Sequence, residues 1–295
     1  MGSKYCKHTP FAEAGPVYDS AWTAMTKLVS RARARGIGTL IDFHALPGGA
    51  NGGDHSGTNS GKAALWGNTA NLDLATRCIV DMAHQLKTMD GVVGLQLCNE
   101  AEYNAPGMYK WCDKILNLLE PIDSSLPIYI SDGWNLDQAL RYSSGKNSLS
   151  NPHCNPIVVD THLYWAFSDA DKVKSPQQIT AEVSTKLSEL DGKEGNVFDH
   201  GAAQLVVGEY SCVLTDESWA KAGAGSDRTQ LASHFGQAQS KRWQERAGGS
   251  YFWTCKMDWM DGGEWGFVQQ TKRKWVAQPR ELPCVGRLTD GSLGR

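Results

Sequence analysis

The sequence lacks the apolar segments that direct a chain into or across a membrane. No apolar run reaches about 18 residues, the length from which a membrane-spanning helix is expected. The N-terminal stretch MGSKYCKHTPFAEAG has no apolar core of the kind that signal peptides carry. The sequence therefore predicts no membrane partner, and a cytoplasmic location if Met1 is the genuine start.

Other signatures are missing as well. The 8 cysteines form no CxxC pair, so a structural zinc site is not expected, and most of them are predicted to be buried thiols. The net charge is only -3 at pH 7, which gives no basic surface for a nucleic-acid partner. The stretch 44–53, HALPGGANGG, lacks the spacing of phosphate-binding loops, so nucleotide binding is not expected.

Apolar runs of strand length alternate with longer segments of helical periodicity. The six runs are 38–44, 92–98, 126–131, 156–162, 203–209 and 250–254. None alternates polar and apolar residues, so we expect strands that are covered on both faces, as in a parallel α/β sheet. A doubly wound sheet can have six strands, whereas a (β/α)8 barrel needs eight, and the pattern alone allows both.

Two of these strands end in a glutamate. Glu100 closes the run GVVGLQLCNE, and Glu209 closes QLVVGE. A lone glutamate in this position would most simply cap a helix or pair with a lysine. Two at equivalent strand ends suggest a shared cleft, because ligands bind at the carboxyl ends of parallel strands and unpaired buried charges cost several kcal/mol.

Two facing carboxyl groups are what a glycosidase requires. One donates a proton to the leaving oxygen and the other attacks the sugar, and in retaining enzymes they stand about 5–5.5 Å apart. Asn99 is suited to bind the sugar 2-hydroxyl. His162 and Tyr164 could donate hydrogen bonds to the glutamates, and Trp253 could form the floor of the sugar site.

The chain is rich in tryptophan, with 11 residues. Those that follow strands are predicted to stack on sugar rings: Trp134, Trp165, Trp259 and Trp265. Those in helical segments are predicted to pack in the core: Trp22, Trp111 and Trp243.

The order strand–Asn-Glu, His-x-Tyr, strand–Glu and a late strand ending in Trp resembles glycoside hydrolase family 5. The segments 40–57, 206–219 and 250–258 are most similar to its fungal exo-β-1,3-glucanase branch, and the resemblance runs from Phe11 to Phe267. It implies a (β/α)8 TIM barrel and retention of configuration, with Glu100 as acid/base and Glu209 as nucleophile. It also implies substrate contacts from His44, Asn99, His162, Tyr164 and Trp253.

The chain departs from that family at its N-terminal side. If 38–44 is the third barrel strand, the first two strands are missing, together with the arginine that supports the nucleophile. Arg31, Arg33 and Arg35 lie in a predicted helix and do not replace it. The expectation is therefore one catalytic domain over 1–295, an incomplete barrel with six strands and impaired catalysis.

The resulting prediction is a retaining β-glycosidase that hydrolyses β-1,3-glucan from the chain end. No cofactor or metal is expected. The alternatives are an endo-β-1,4-glucanase or mannanase-type hydrolase of the same family, or a carbohydrate-binding relative with impaired catalysis. A metal site built from Asp42, His44, Asp54 and His55 is disfavoured by the resemblance. Members of the family are mostly secreted, although no export signal is visible here, and the sequence leaves the oligomeric state open.

Overall fold

The computed structural model describes residue 4 and residues 12–147, 155–193, 204–257 and 264–272 of the chain. Within these ranges the helices are α1 (Gly15–Arg33), α2 (Thr69–Leu86), α3 (Met108–Asp123), α4 (Leu136–Lys146), α5 (Asp169–Lys172), α6 (Pro176–Val183), α7 (Asp216–Trp219), α8 (Arg228–Arg246) and α9 (Phe267–Lys272). None of these helices combines the length and the apolar character that crossing a membrane would demand.

Six strands form one sheet whose order in space follows their order in the chain. The strands are β1 (Thr39–Asp42), β2 (Val92–Gln96), β3 (Ile128–Ser131), β4 (Ile157–Trp165), β5 (Leu205–Leu214) and β6 (Ser250–Phe252). The pairs β1–β2, β2–β3 and β3–β4 are parallel. All six predicted strands are confirmed, and the sequential order with intervening helices is that of a TIM-barrel-type α/β fold.

The central strands are buried as the apolar runs predict, whereas β1 is only partly buried and β6 is largely exposed. Every residue of β3 is buried, including the polar Ser131. On one side of the sheet α2 and α3 pack together, with Ile79, Ile115 and Leu119 almost fully excluded from solvent. The indole nitrogen of Trp111 donates to the Thr76 hydroxyl at 3.0 Å, so the polar atom of this buried tryptophan is satisfied.

The chain divides into two compact units. The first comprises residues 1–164, 185–210 and 243–251, and the second comprises 165–184, 211–242 and 252–295. In the second unit, Trp165 packs edge-on against Phe235 with ring centroids 5.4 Å apart. The single catalytic domain over 1–295 stays a prediction, as does the absence of the first two barrel strands. The first described strand is β1.

Strand β5 continues past Glu209 to Leu214, so Glu209 lies inside this strand and does not close it as predicted. Two further predicted elements differ from the structure. The segment 175–190 is not one helix, because α6 ends at Val183 and Leu187 has a left-handed backbone with φ +62, which no right-handed helix can include. In the other case β4 extends through Trp165, which is buried at 2% exposure. Trp165 was predicted to stack on sugar, and that prediction is wrong because its ring packs in the core of the second unit.

Five cysteines lie within the described residues, and all are free thiols. Cys98, Cys112 and Cys212 are buried, as expected for small apolar side chains. Cys255 is exposed and Cys78 is partly buried, so the prediction of buried thiols holds for three of the five.

Candidate active site

The first unit brings Glu100 and Glu209 together. Glu100 lies just after β2, and Glu209 lies in β5. One carboxylate oxygen of each glutamate and a ring nitrogen of His162 all lie within 4.8 Å of one another. Two carboxyl groups therefore face the same small space.

His162 is the centre of this cluster. Its Nδ1 lies 2.8 Å from Glu100 Oε1 and 3.5 Å from Glu209 Oε2, while its Nε2 lies 3.1 Å from Asp160 Oδ2. The side chain is only 5% exposed. Because both ring nitrogens face carboxylates, the arrangement fits an imidazolium that donates on both sides.

Asp160 contacts His162 at the ring nitrogen that faces away from the two glutamates. The two residues are separated by one position in β4, so their side chains point to the same face of the sheet. Asp160 Oδ2 also accepts a 2.6 Å hydrogen bond from the Gln96 amide, whereas Oδ1 is buried without a partner. Gly208 leaves room for this carboxylate, because a Cβ at that position would lie 1.9 Å from Asp160 Oδ1.

Glu100 is held at its backbone and at its carboxylate by the loop after β1. Its backbone is left-handed with φ +41, which is rare for a glutamate. Asn51 donates from Nδ2 to the main-chain oxygen of Glu100 at 2.7 Å. His55 Nε2 lies 2.9 Å from Glu100 Oε2, so each carboxylate oxygen of Glu100 has one histidine partner.

Glu209 has a hydroxyl partner in place of a second histidine. The Tyr164 hydroxyl donates to Glu209 Oε2 at 2.8 Å. Burial raises the pKa of Tyr164 far above its ordinary range, and Glu209 adds to that effect, so the hydroxyl remains a donor across the physiological range. Among the described residues no arginine is paired with Glu209.

The surroundings move the two glutamate pKa values apart. Burial is the largest influence on Glu100 and raises its pKa, but His162 and His55 together outweigh it, so the net pKa is lowered. Burial raises the pKa of Glu209 and exceeds the opposing effect of His162 and Tyr164. Burial alone would lower the pKa of His162, yet Asp160 and Glu100 raise it well above its usual value. In the free protein the cluster therefore holds an ionised Glu100, a charged His162 and the more basic carboxyl at Glu209.

The same three side chains are the one group among the described residues with three donors close enough for a metal ion. A charged His162 is a poor ligand, because a metal needs the neutral imidazole and both nitrogens here already face carboxylates. Asp42 and His44 pair with each other at 2.7 Å, while His55 turns to Glu100. The loop histidines thus contact carboxylates and do not form a second group of three metal donors within the described part of the chain.

The structure places three further predicted residues in the first unit. Asn99 is 2% exposed, and its amide nitrogen is buried without a hydrogen-bond partner. The hydrogen bond with Asp42 raises the pKa of His44 most, and Glu209 and Glu100 raise it further. Trp134 is 48% exposed, and its backbone N–H donates to Asp132 Oδ1.

The remaining predicted tryptophans belong to the second unit or lie outside the described residues. Trp253 is 40% exposed. The Trp265 ring lies 6.2 Å from that of Phe167. Trp259 lies outside the described residues. Nearby Glu264 forms a two-pronged ion pair with Arg228 at 3.0 and 3.2 Å, which gives this carboxylate a structural partner.

The sequence did not predict Asp160, Gln96 and Asn51 as parts of the site, and His55 was considered for a disfavoured metal site. Asp160 was detectable, because the pattern Asp-x-His-x-Tyr in β4 puts three polar side chains on one face of an otherwise apolar strand. Asn51 and His55 carried no periodic signal, since they reach Glu100 from 49 and 45 residues away.

The chain has clear relatives among fungal proteins. It is 31% identical over 277 residues to an uncharacterized glycosyl hydrolase of Saccharomyces cerevisiae, which covers 92% of this chain and 52% of that protein. It is 30% identical over 291 residues to glucan 1,3-beta-glucosidase 3 of Schizosaccharomyces pombe, which covers 97% of this chain and 58% of that protein. The chain thus spans just over half the length of these curated relatives. No protein-family model matches it.

Solved structures agree on the fold. An endoglucanase, Cel5A of Pseudomonas stutzeri, superposes with a TM-score of 0.55 at 14% identity, covering 86% of this chain and 73% of that one. The chain is therefore a relative of the glycosyl hydrolases with a TIM-barrel-type fold. Within that class it is similar over nearly its whole length to the fungal glucan 1,3-β-glucosidases, which confirms the resemblance found in the sequence.

Proposed function

We propose that this chain forms the catalytic part of a retaining β-glycosidase that removes glucose units from the end of a β-1,3-glucan. The observation that carries the proposal is the approach of the Glu100 and Glu209 oxygens within 4.8 Å, with His162 between them. The name glucan 1,3-beta-glucosidase of a relative at 30% identity supports the substrate class. Glu100 contacts two histidines, which influence whether its carboxyl is protonated, and this supports its proposed role as the acid/base.

In the proposed reaction Glu209 attacks the anomeric carbon while Glu100 gives its proton to the glycosidic oxygen. The carbon–oxygen bond breaks, the shortened glucan leaves as an alcohol, and the sugar is held as an ester of Glu209. Glu100, now ionised, takes a proton from water as the water oxygen attacks the same carbon. The ester bond breaks, and both glutamates return to their starting states.

The pKa order in the free protein is the reverse of the order that this reaction needs. Glu100 has the lowered pKa and Glu209 the raised one, whereas an acid must be protonated and a nucleophile ionised. The two carboxyl groups interact, so the order of their pKa values belongs to the cluster and changes with what occupies the cleft. In the proposed reaction, substrate binding must therefore raise the pKa of Glu100 relative to that of Glu209.

The side chains around the glutamates suggest how the sugar is bound. The unpartnered amide nitrogen of Asn99 is a buried donor, and a sugar 2-hydroxyl would satisfy it. The exposed indole of Trp134 offers an apolar face for a pyranose ring. His44 and Tyr164 supply further donors, and Trp253, Trp259 and Trp265 complete the set of proposed substrate contacts.

A test of the proposal follows the anomeric proton by NMR while the protein hydrolyses laminaritetraose. We expect the β-anomer of glucose to appear first, because double displacement retains configuration. Glu209→Gln should reduce turnover by at least about 1000-fold, since the nucleophile is lost. Glu102→Gln, which changes a partly buried carboxylate in the loop that carries Glu100, is the control and should retain activity. Initial release of the α-anomer, or full activity in Glu209→Gln, would refute the mechanism.

A second candidate is a carbohydrate-binding relative with impaired catalysis. The observation that favours it is that no arginine is paired with Glu209 among the described residues, while burial raises the pKa of Glu209 and so lowers the fraction of this carboxyl that is ionised to attack. Calorimetry together with an assay for released glucose distinguishes the two candidate functions. A binder takes up laminaritetraose without releasing glucose, and the Glu209→Gln variant then binds like the wild type.

A further inference from the structure

Each carboxylate oxygen of Glu100 has one histidine partner in the free protein. Oε1 accepts from His162 Nδ1 at 2.8 Å, and Oε2 accepts from His55 Nε2 at 2.9 Å. A carboxyl that is to protonate a leaving oxygen must carry its proton on an oxygen that the substrate can reach. Because a donated N–H favours the ionised carboxyl, Glu100 holds its proton better when one of the two histidine contacts is given up.

The two histidines differ in how firmly they are held. His162 is 5% exposed and is fixed by Asp160 on its far side, so breaking its contact would leave a buried cation short of a partner. His55 is 47% exposed and can exchange Glu100 for water. Oε2 is accordingly the oxygen that can be released at low cost.

The loop that carries His55 is itself well anchored. The Leu46 N–H donates to the Ser56 main-chain oxygen at 2.9 Å, and the Ser56 hydroxyl donates to the Asn51 main-chain oxygen at 2.8 Å. Asn51 in turn donates to the main-chain oxygen of Glu100. Release of Oε2 therefore needs only a rotation of the His55 ring, while the loop and the Glu100 backbone stay in place.

We propose that His55 is a positioning residue that occupies Glu100 Oε2 in the free protein and surrenders this oxygen to the leaving-group oxygen of the substrate. The inference rests on the proposed function and names the exchange that prepares its acid. In the free protein the His55 N–H stabilises the Glu100 carboxylate. Once the glycosidic oxygen replaces His55 at Oε2, that stabilisation is lost and the pKa of Glu100 rises.

Several charged groups face this contact. Glu100 is approached by His162 from β4 and by Glu209 from β5, and Asp160 lies behind His162. The His44 ring, paired with Asp42, lies 5.9 Å from that of His55. Because His162, His44 and the carboxylates remain in place when His55 is changed, the effect of one contact can be isolated.

The test compares the pH profiles of kcat/KM and kcat for hydrolysis of an aryl β-glucoside. His55→Leu removes the donor, so the alkaline limb of kcat/KM, which reports the titration of the coupled glutamates in the free enzyme, should move upward by up to about one pH unit. The limb of kcat, which reports the bound state, should not move, because His55 has already left Glu100. His55→Gln keeps a donor and should restore the wild-type limb, and His84→Leu, an exposed histidine on α2, is the control.

The inference would be overturned if the alkaline limb of kcat/KM did not move in His55→Leu, or if the limbs of kcat/KM and kcat moved equally. Carbon-13 NMR titration of the Glu100 carboxyl in the free protein gives a measurement that is independent of turnover. We expect its pKa to be higher in His55→Leu than in the wild type, and equal values would overturn the inference even in an inactive protein. Absence of turnover in the wild type counts instead against the proposed function.

Discussion

Asp160 shows how a single buried carboxylate can determine the charge of a neighbour. It is 3% exposed and contacts His162 Nε2 at 3.1 Å. Without this contact, burial would favour the neutral imidazole, because desolvation lowers the pKa of a histidine. The charged His162 then positions both glutamates, so Asp160 acts on the reaction through a second residue.

Replacing Asp160 with asparagine should therefore lower the pKa of His162 and weaken catalysis. Loss of a hydrogen bond to a charged group costs about 2 kcal/mol, which corresponds to about a 30-fold loss in kcat/KM. Proton–nitrogen NMR of the His162 ring reports the pKa directly. Asp73→Asn, which changes an exposed partner of Lys114, is the control. An unchanged His162 titration would show that Asp160 does not determine its charge.

At the scale of secondary structure, the sequence predicted the strands well and the contacts between them less well. Apolar runs identify β2 and β5, and the glutamates that close these runs in the sequence could be read as one site because parallel strands end at the same edge of a sheet. The contacts of the loop 46–57 with the site could not be predicted in this way. Its contacts to Glu100 depend on distant backbone geometry, and periodicity carries no information about it.

Strand β5 carries a glycine for a steric reason that the sequence does not reveal. A Cβ on Gly208 would lie 1.9 Å from Asp160 Oδ1, so Gly208→Ala must displace the carboxylate beneath His162. We expect a loss of about 1–3 kcal/mol in the free energy of unfolding, measured with urea, as overpacking typically produces.

Gly145→Ala in α4 is the matched control for this substitution. No atom lies within 4 Å of its added Cβ, so the free energy of unfolding should be unchanged or slightly raised. A Gly208→Ala variant as stable as wild type, with an unaltered His162 titration, would show that β5 can move away from Asp160 at no cost.

For the whole molecule, the sequence resemblance predicted the TIM-barrel-type fold, and fungal relatives and solved structures confirm it. It did not predict a division into two compact units, because no linker or change of composition marks the unit boundaries. The first unit holds both glutamates and the histidines. Trp253 and Trp265 belong to the second, and their contact with substrate stays a proposal.

The raised pKa of His162 makes the stability of the whole chain depend on pH. The folded protein binds a proton more tightly than the unfolded chain, so the stabilisation is complete below about pH 6.5 and falls as pH rises toward the folded pKa. Between about pH 6.5 and 8 the wild-type free energy of unfolding should fall more steeply than that of His162→Gln, by up to about 1.4 kcal/mol per pH unit.

Urea titrations at several pH values measure this difference. His44, whose pKa is also raised, is present in both proteins, so its contribution cancels to first order. Parallel pH dependences for wild type and His162→Gln would mean that His162 is not charged in the folded state.

Three carboxyl groups surround the one imidazolium of His162, and this imbalance has a consequence for inhibition. The cluster has more potential negative charge than its own cation neutralises, and it is largely shielded from water. A glucose mimic that carries a protonated amine near its anomeric position would supply the missing counter-charge. The pocket should therefore retain such a cationic sugar analogue more tightly than the neutral glucose it resembles.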